Sequence, residues 1–230
     1  AAISRLPMLP ALAHIETWIF DLDNTLYPAS ADLFGQIDVR MAAYIQRLLA
    51  CDPAEAKRVQ KAFFHSHGTT LSGLMAEHGV APADFLDYVH DIDLSVIDED
   101  RRLVAAMARL PGRKLIFTNA DAAYAGRVLD RLGLGESFEA IHDIHAAGYA
   151  PKPDPKSYAA MCDALGVAPQ RALFVEDMAR NLAPAKALGM TTVWVDNGSE
   201  WGGRDADPAF IDYRIAEVGA WLEDIMGVSA

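Results

Sequence analysis

The 230-residue sequence is acidic and moderately apolar, which excludes several classes of protein. Its apolar fraction of 52% and charged fraction of 23% are typical of a globular chain that buries a core. The formal net charge of -12 repels polyanions, so we expect no nucleic-acid polymer as a partner. No apolar run has the ~18 to 20 residues of a membrane-spanning helix. The N-terminal stretch AAISRLPMLP also lacks the apolar centre of a signal peptide, so we expect a soluble, cytoplasmic protein with no membrane partner.

Cysteine content and charge limit the chemistry further. Cys51 and Cys162 are the only cysteines, too few for a disulfide framework and without the spacing of a zinc site, so free thiols are expected. A small phosphorylated substrate would need local positive charge to offset the acidic chain. That requirement points to a metal ion and a lysine.

Apolar runs alternate with helical segments in most of the chain. Four runs predict buried strands: Thr17 to Phe20, Lys114 to Thr118, Ala172 to Val175 and Met190 to Val195. Three predicted helices lie between or after them, each followed by a glycine: Ala122 to Leu132, Pro155 to Leu165 and Leu182 to Leu188. This alternation predicts an α/β fold with a Rossmann-like, doubly wound parallel sheet and a ligand site at the carboxyl ends of its strands.

Residues 28–100 show helical signals alone. Apolar residues from Leu33 to Leu48 follow helical spacing, and Asp52-Pro53 has the character of an N-cap and a first-turn proline. Further helices are predicted around 71–78 and 83–89. We therefore expect an all-helical cap at 28–100, inserted into a catalytic core formed by 1–27 and 101–230, which could close over a substrate. The apolar cap helices leave a monomer and a homodimer both open.

The stretch Phe20-Asp21-Leu22-Asp23-Asn24-Thr25 is the most informative candidate for chemistry. Asp21 and Asp23 are two positions apart at a strand end, so their carboxylates can point to the same side. One can attack a substrate while the other handles protons, and paired acids also form an oxygen site suited to Mg²⁺. The alternative is that Asp23-Asn24-Thr25 only forms a turn or caps a helix.

Three more polar groups follow predicted strands or lie in a constrained loop. Thr118 and Asn119 offer a hydroxyl and an amide for phosphate oxygens, or else form a helix-start turn. Lys152 lies between two prolines that restrict the backbone, although it could be a solvated loop lysine. Glu176 and Asp177 end a buried strand, where acids need a cation unless they start a helix. Their order along the chain favours one shared site.

These motifs resemble those of the haloacid dehalogenase superfamily, and its phosphatases in particular. The segment from Asp21 to Thr25 resembles the first family motif, Thr118 the second, Lys152 the third and Glu176-Asp177 the fourth. The resemblance spans about residues 16 to 196. Three strings are similar to the pyrimidine 5'-nucleotidase subgroup: FDLDNTLYP, the cap string GTTLSGL beginning at Gly68, and FVEDMARNLAPAKALGM.

The resemblance implies a Mg²⁺-dependent phosphomonoesterase that works through an aspartyl phosphate on Asp21. It implies Asp23 as proton donor and acceptor, with Thr118, Asn119 and Lys152 binding the phosphate. It also implies a metal site formed by the residues Asp21, Asp23 through its carbonyl, Asp177, and Glu176 through water. The implied substrate is a small phosphorylated metabolite, a pyrimidine nucleoside 5'-monophosphate in the first place and a sugar phosphate as the alternative.

Other activities fit the same motifs. A phosphomutase would use the same residues, whereas a haloacid dehalogenase needs neither Asp23 nor the acidic pair. A phosphoaspartate receiver domain is too short to leave room for a cap.

Many relatives have an acid four positions after the metal-binding aspartate, where this chain has Asn181. We interpret Asn181 as the N-cap of the following helix. Specificity would come from the cap, where we interpret a group of polar and aromatic residues as structural rather than substrate-binding: Phe63, Phe64, His65, His67, Thr69 and Thr70.

Overall fold

The computed structural model describes residues 8–227. Within that range the strands are β1 (Thr17–Phe20), β2 (Arg113–Phe117), β3 (Ala140–His142), β4 (Ala172–Glu176), β5 (Thr191–Val195) and β6 (Tyr213–Ile215). The helices are α1 (Leu33–Leu49), α2 (Pro53–His67), α3 (Thr70–His78), α4 (Pro82–Val89), α5 (Arg101–Arg109), α6 (Ala122–Leu132), α7 (Pro155–Leu165), α8 (Leu182–Ala187), α9 (Glu200–Gly203) and α10 (Val218–Ile225). Short 3-10 turns connect several of them.

The strands form one six-stranded sheet in the order β3-β2-β1-β4-β5-β6. Every neighbouring pair is parallel. This is a doubly wound order: β2 and β3 are added on one side of β1, and the chain then crosses to the other side to add β4, β5 and β6. The predicted Rossmann-like α/β core is therefore confirmed.

The centre of the sheet is β1, which pairs with β2 on one side and β4 on the other. Trp18, Ile19 and Phe20 are all 0% exposed, because helices cover both faces of a parallel sheet. The indole nitrogen of Trp18 is satisfied by the carbonyl of Pro111 at 2.8 Å. A strand buried on both faces has no polar alternation, which is why its sequence is a continuous apolar run.

The sequence predicted four strands, and each is present as β1, β2, β4 or β5 within one or two residues of its predicted bounds. It did not predict β3 and β6. Both lie at the edges of the sheet and are three residues long, too short for a recognisable apolar pattern.

The chain divides into two compact units. One contains the residues up to Ala29 and those from Ile97 onward, and the other is Ser30–Val96. The second unit consists of α1 to α4. Asp52 is the N-cap of α2, where its side chain accepts a hydrogen bond from the backbone N–H of Glu55 at 2.8 Å.

The described residues include both cysteines and all the helices given above. Cys51 and Cys162 are both free thiols. Between residues 8 and 227, no helix has both the length and the apolar character that crossing a membrane requires.

Gly126 within α6 and Gly133 directly after it provide a matched test of helix stability. An added Cβ at Gly126 would meet nothing within 4 Å, whereas Gly133 has a φ of +81° and its Cβ would lie 3.0 Å from Glu99. We expect Gly126→Ala to raise the free energy of unfolding by about 0.4–1 kcal/mol. Gly133→Ala should lower it by about 1–2 kcal/mol, because alanine resists the left-handed conformation. Urea denaturation measures both, and a stabilising Gly133→Ala would contradict the assignment of this helix end.

Candidate active site

Four polar segments meet at the carboxyl edge of the sheet. Phe20 pairs with Ile116 of β2 and Val175 of β4, so Asp21, the next residue, lies between these two strands. Thr118 directly follows β2, and Glu176 is the last residue of β4. Because parallel strands end on the same edge, side chains distant in sequence become neighbours there.

A tight turn after β1 folds the chain back onto Asp21. Asn24 has a left-handed φ of 61°, which asparagine tolerates better than most residues. The turn carries the hydroxyl of Thr25 to 3.0 Å from Asp21 Oδ2 and 3.3 Å from Asp177 Oδ1. The sequence pattern indicated no separate role for Thr25, although its spacing of four residues from Asp21 is a signal that one turn could bring them together.

Lys152 is the buried cation of this edge. It is 4% exposed, and its Nζ donates to Asp21 Oδ1 at 2.9 Å and Glu176 Oε2 at 2.8 Å. A third bond reaches the carbonyl of Phe117 at 2.8 Å. An ammonium has three hydrogens, so these acceptors satisfy it completely. In this structure Lys152 neutralises and orients two carboxylates.

Asn119 fixes the backbone of Lys152. Its side-chain oxygen accepts from the Lys152 N–H at 2.8 Å, and its side-chain nitrogen donates to the Lys152 carbonyl at 3.2 Å. The sequence predicted Asn119 as a phosphate-binding group, and the structure gives its amide the lysine backbone as partner. The adjacent Thr118 is buried, and its Oγ1 accepts from the N–H of Ala120 at 3.0 Å. A hydroxyl that accepts one hydrogen bond still has its own hydrogen to donate to a phosphate oxygen.

Asp23 has a different environment from Asp21. Its Oδ1 accepts hydrogen bonds from the hydroxyls of Tyr27 at 2.6 Å and Tyr124 at 2.9 Å. The sequence did not indicate either tyrosine. Two carboxylates only two positions apart therefore have distinct partners, an ammonium for Asp21 and two phenols for Asp23.

Known proteins share this combination of fold and motifs. Residues 15–189 match the family model described as haloacid dehalogenase-like hydrolase. The chain belongs to this family. The resemblance of the four motifs to the haloacid dehalogenase superfamily is thus confirmed at the level of the family.

Relatives of this hydrolase include proteins named as phosphatases. Phosphate metabolism protein 8 of Saccharomyces cerevisiae is 26% identical over 193 residues, which are 76% of this chain but only 60% of that relative. A phosphoglycolate phosphatase of Mesorhizobium japonicum is 30% identical over 189 residues, which are 78% of this chain and 82% of that protein. The crystal structure of a HAD phosphatase from Thermococcus onnurineus has a TM-score of 0.63 at 19% identity. It covers 94% of this chain and 99% of that chain, a likeness of fold.

The hydrolase site contains more buried negative charge than Lys152 can neutralise. Burial, followed by the charge of Glu176, raises the pKa of Asp21 to about 7. Burial and the charges of Glu176 and Asp21 also raise the pKa of Asp177 well above its usual value. Burial acts to raise the pKa of Glu176 too, but the charge of Lys152, together with hydrogen bonds to Lys152, Asp177 and the Met178 N–H, outweighs it, so the pKa is lowered. Three carboxylates with one ammonium leave a site that favours a further cation.

The donor set of the hydrolase fits Mg²⁺. Asp21, Glu176 and Asp177 each offer a carboxylate oxygen, and these oxygens lie within 4.8 Å of one another. Carboxylates are hard oxygen ligands that suit Mg²⁺, which keeps several waters and needs only a few protein ligands. The excess negative charge and the ligand chemistry support the same ion.

The backbone of Asp177 is fixed from a second direction. Its carbonyl accepts from the indole nitrogen of Trp194 at 2.9 Å. An added Cβ at Gly202 would lie 2.8 Å from the same carbonyl oxygen. Neither residue was indicated by the sequence, because both follow the fourth motif by many positions and have no local signature.

The interpretation of Asn181 as an N-cap was wrong. Its φ of -74° and ψ of -11° are helical, and its side chain makes no capping bond. The 3-10 turn Ala179–Asn181 runs directly into α8, so there is no extended residue where an N-cap would sit. The side-chain oxygen of Asn181 is buried and has no hydrogen-bond partner among residues 8–227. Its backbone carbonyl accepts from the hydroxyl of Tyr158.

The polar and aromatic residues of the helical unit have structural partners. Thr69 is the N-cap of α3, and the hydroxyl of Thr70 donates to the carbonyl of Gln60 at 3.2 Å. The ring of Phe63 is so close to Gly73 that an added Cβ there would lie 2.3 Å from it. His67 lies 3.4 Å from Glu77. These contacts agree with the structural interpretation of the group.

Mg²⁺ should stabilise the folded hydrolase. Saturation at 100 times the dissociation constant contributes about 2.7 kcal/mol, which is roughly 5–10 °C in melting temperature for a chain of this size. Asp177→Asn should lose most of this rise, yet without metal it should melt no lower than wild type, because one crowded carboxylate becomes neutral. Differential scanning fluorimetry with a MgCl₂ titration measures both.

Two controls separate specific binding from ionic strength. NaCl at matched ionic strength should leave the melting temperature nearly unchanged. Asp163→Asn, which neutralises an exposed acid of α7, should keep the full rise with Mg²⁺. A wild-type protein whose melting temperature does not respond to Mg²⁺ would contradict the metal site.

Neighbouring glycines of α9 test the support of Asp177. Gly202→Ala should force the Asp177 carbonyl to move, which lowers the stability by about 1–3 kcal/mol and weakens the Mg²⁺ response. Gly203→Ala is the matched control, since its Cβ would meet only the Trp194 ring at 3.6 Å and 3.7 Å. Chemical denaturation and the same MgCl₂ titration compare the two. Equal behaviour of the two variants would refute the role of this contact.

Proposed function

We propose that this hydrolase is a Mg²⁺-dependent phosphomonoesterase that transfers the phosphoryl group of its substrate to Asp21. The observation that carries the proposal is the buried Lys152 ammonium bonded to Asp21 and Glu176, with Asp177 completing a set of three acidic oxygens. A carboxylate nucleophile meets strong repulsion from a phosphate dianion unless positive charge surrounds the transferring group. The relatives named as phosphatases support the same reaction class.

In the first step, a carboxylate oxygen of Asp21 attacks phosphorus and the bond to the leaving oxygen breaks. Asp23 donates its proton to that oxygen, since an alkoxide is a poor leaving group. In the second step, Asp23 takes a proton from water, the water oxygen attacks phosphorus, and the bond to Asp21 breaks. Free phosphate leaves and both aspartates return to their initial states.

Other groups orient and neutralise the phosphate. Thr118 donates a hydroxyl, and Lys152 turns one of its N–H groups from a protein acceptor to a phosphate oxygen. Asn119 acts by fixing the Lys152 backbone. The residues that would hold Mg²⁺ are Asp21, Asp177, the carbonyl of Asp23 and, through water, Glu176. When bound, the ion supplies positive charge against the phosphate.

The proposed substrate is a pyrimidine nucleoside 5'-monophosphate. Its support is the similarity of three strings to the pyrimidine 5'-nucleotidase subgroup, two around the core motifs and one at Gly68–Leu74. A sugar phosphate or another small phosphoester is the second candidate, and the phosphoglycolate phosphatase among the relatives supports it. We place the proposed activity in the cytoplasm. A monomer and a homodimer are both compatible with the proposed reaction.

A haloacid dehalogenase is the second activity within the family. It also uses a carboxylate nucleophile, but its chemistry needs no metal and no proton donor to a leaving oxygen. The three-acid cluster and the two tyrosine bonds to Asp23 favour the phosphatase. Chloride release from 2-haloacids in the absence of Mg²⁺ would reverse this preference.

The test is a screen of phosphate release from nucleoside monophosphates and sugar phosphates, with and without Mg²⁺. Wild-type protein should require Mg²⁺, and Asp21→Asn should show no turnover above background. Asp23→Asn should lower kcat by about 10²–10⁴-fold with little change in substrate binding. Asp163→Asn serves as the control for surface charge. Normal turnover by Asp21→Asn would exclude the covalent route, and recovery of phosphate on a second sugar would indicate a mutase.

A further inference from the structure

Two tyrosines converge on one oxygen of Asp23. Tyr27 is four residues after Asp23 in the segment that follows β1, whereas Tyr124 is in the first turn of α6. Their hydroxyl oxygens lie 2.6 Å and 2.9 Å from the same atom, Asp23 Oδ1. Both side chains are buried, so neither hydroxyl is an exposed group that meets Asp23 by chance.

The position of Tyr124 is fixed by the segment that carries Thr118. Asp121 is the N-cap of α6, and its carboxylate accepts from the Tyr124 backbone N–H at 2.7 Å. The connection from β2 to α6 therefore delivers Thr118 to the phosphate site and Tyr124 to Asp23 within seven positions. Tyr27 reaches Asp23 from the other chain segment, the turn after β1.

Both phenols are suited to be permanent donors. A tyrosine hydroxyl is a neutral donor, and both hydroxyls donate to Oδ1. Two hydrogen bonds to a single oxygen restrict the rotation of the Asp23 carboxyl group.

We propose, given the phosphomonoesterase function above, that Tyr27 and Tyr124 are positioning residues that orient the Asp23 carboxylate for proton transfer to the leaving oxygen. Removing either hydroxyl leaves the nucleophile and the phosphate site intact, but it lets Asp23 turn away from the leaving oxygen. The loss should therefore depend on how much the leaving group needs a proton. A purely structural role would instead affect every substrate equally.

The experiment compares p-nitrophenyl phosphate with phenyl phosphate, which are nearly the same size. The p-nitrophenolate ion departs readily without a proton, whereas the more basic phenolate gains from one. The variants are Tyr27→Phe, Tyr124→Phe and their combination. The readout is kcat/KM, which covers the steps up to leaving-group departure and excludes the shared hydrolysis of the aspartyl phosphate.

We expect each single variant to lower kcat/KM for phenyl phosphate by about 10-fold or more and that for p-nitrophenyl phosphate by about threefold at most, part of the 10²–10⁴-fold that a general acid contributes. Asp23→Asn should change the ratio of the two substrates in the same direction and set its limit. The combination should approach that limit. Melting temperatures report whether each variant is folded, and either single variant is sufficient for the test.

Tyr158→Phe is the matched control. This tyrosine is also fully buried, but its hydroxyl donates to the carbonyl of Asn181 and makes no bond to Asp23. It should lower the melting temperature without moving the ratio of the two substrates. If wild type hydrolyses both phosphates and the Tyr27 and Tyr124 variants leave the ratio unchanged, the positioning role is overturned. If wild type releases phosphate neither from these two compounds nor from any monoester of the screen described above, the proposed function itself fails.

Discussion

The ammonium group of Lys152 is the interaction on which the rest of the site depends. It lies between Asp21 and Glu176, away from water, and its Nζ bonds to both carboxylates. Without it, β1 and β4 would end in adjacent buried negative charges, an arrangement that costs several kcal/mol per ion. Bonds from Asn119 to the Lys152 backbone keep the ammonium in place. The geometry of the site is thus set by charge compensation between three chain segments.

Asp21 and Asp23 illustrate how one turn gives two carboxylates different properties. Asp21 faces an ammonium and the hydroxyl of Thr25, in a position where its oxygens can meet a cation and phosphorus. Asp23 receives two neutral phenol donors. Divergent surroundings of neighbouring titratable groups are a general means of assigning separate acid, base and nucleophile roles. The left-handed Asn24 between them and Thr25 makes the turn tight enough for both environments to form.

The sequence predicted those features that depend on a single segment or on strand order. β1 and β4 are continuous apolar runs, and acids placed after parallel strands must share an edge, so the proximity of Asp21 and Asp177 followed. Lys152 lies in a loop, and only the order of the motifs along the chain assigned it to the same site. It could not predict contacts made by residues that look like ordinary core. Tyr124 is at an apolar helical position more than a hundred residues from Asp23, and Gly202 has no signature beyond its lack of a side chain. Asn181 was misinterpreted because the sequence does not reveal that a 3-10 turn ends at Asn181 and leads directly into α8. That turn gives Asn181 helical backbone angles in place of the extended ones of an N-cap.

The central position of β1 has a consequence for the order in which the chain folds during synthesis. Thr17 pairs with Arg113 and Ala172, so the innermost strand leaves the ribosome long before either of its neighbours. Ser30–Val96, by contrast, is a unit of its own whose helices contact one another locally. Local contacts form quickly and distant pairings form slowly. The helical unit can therefore be complete while the apolar side chains of β1 are still without β2 and β4, the two strands that pair with it.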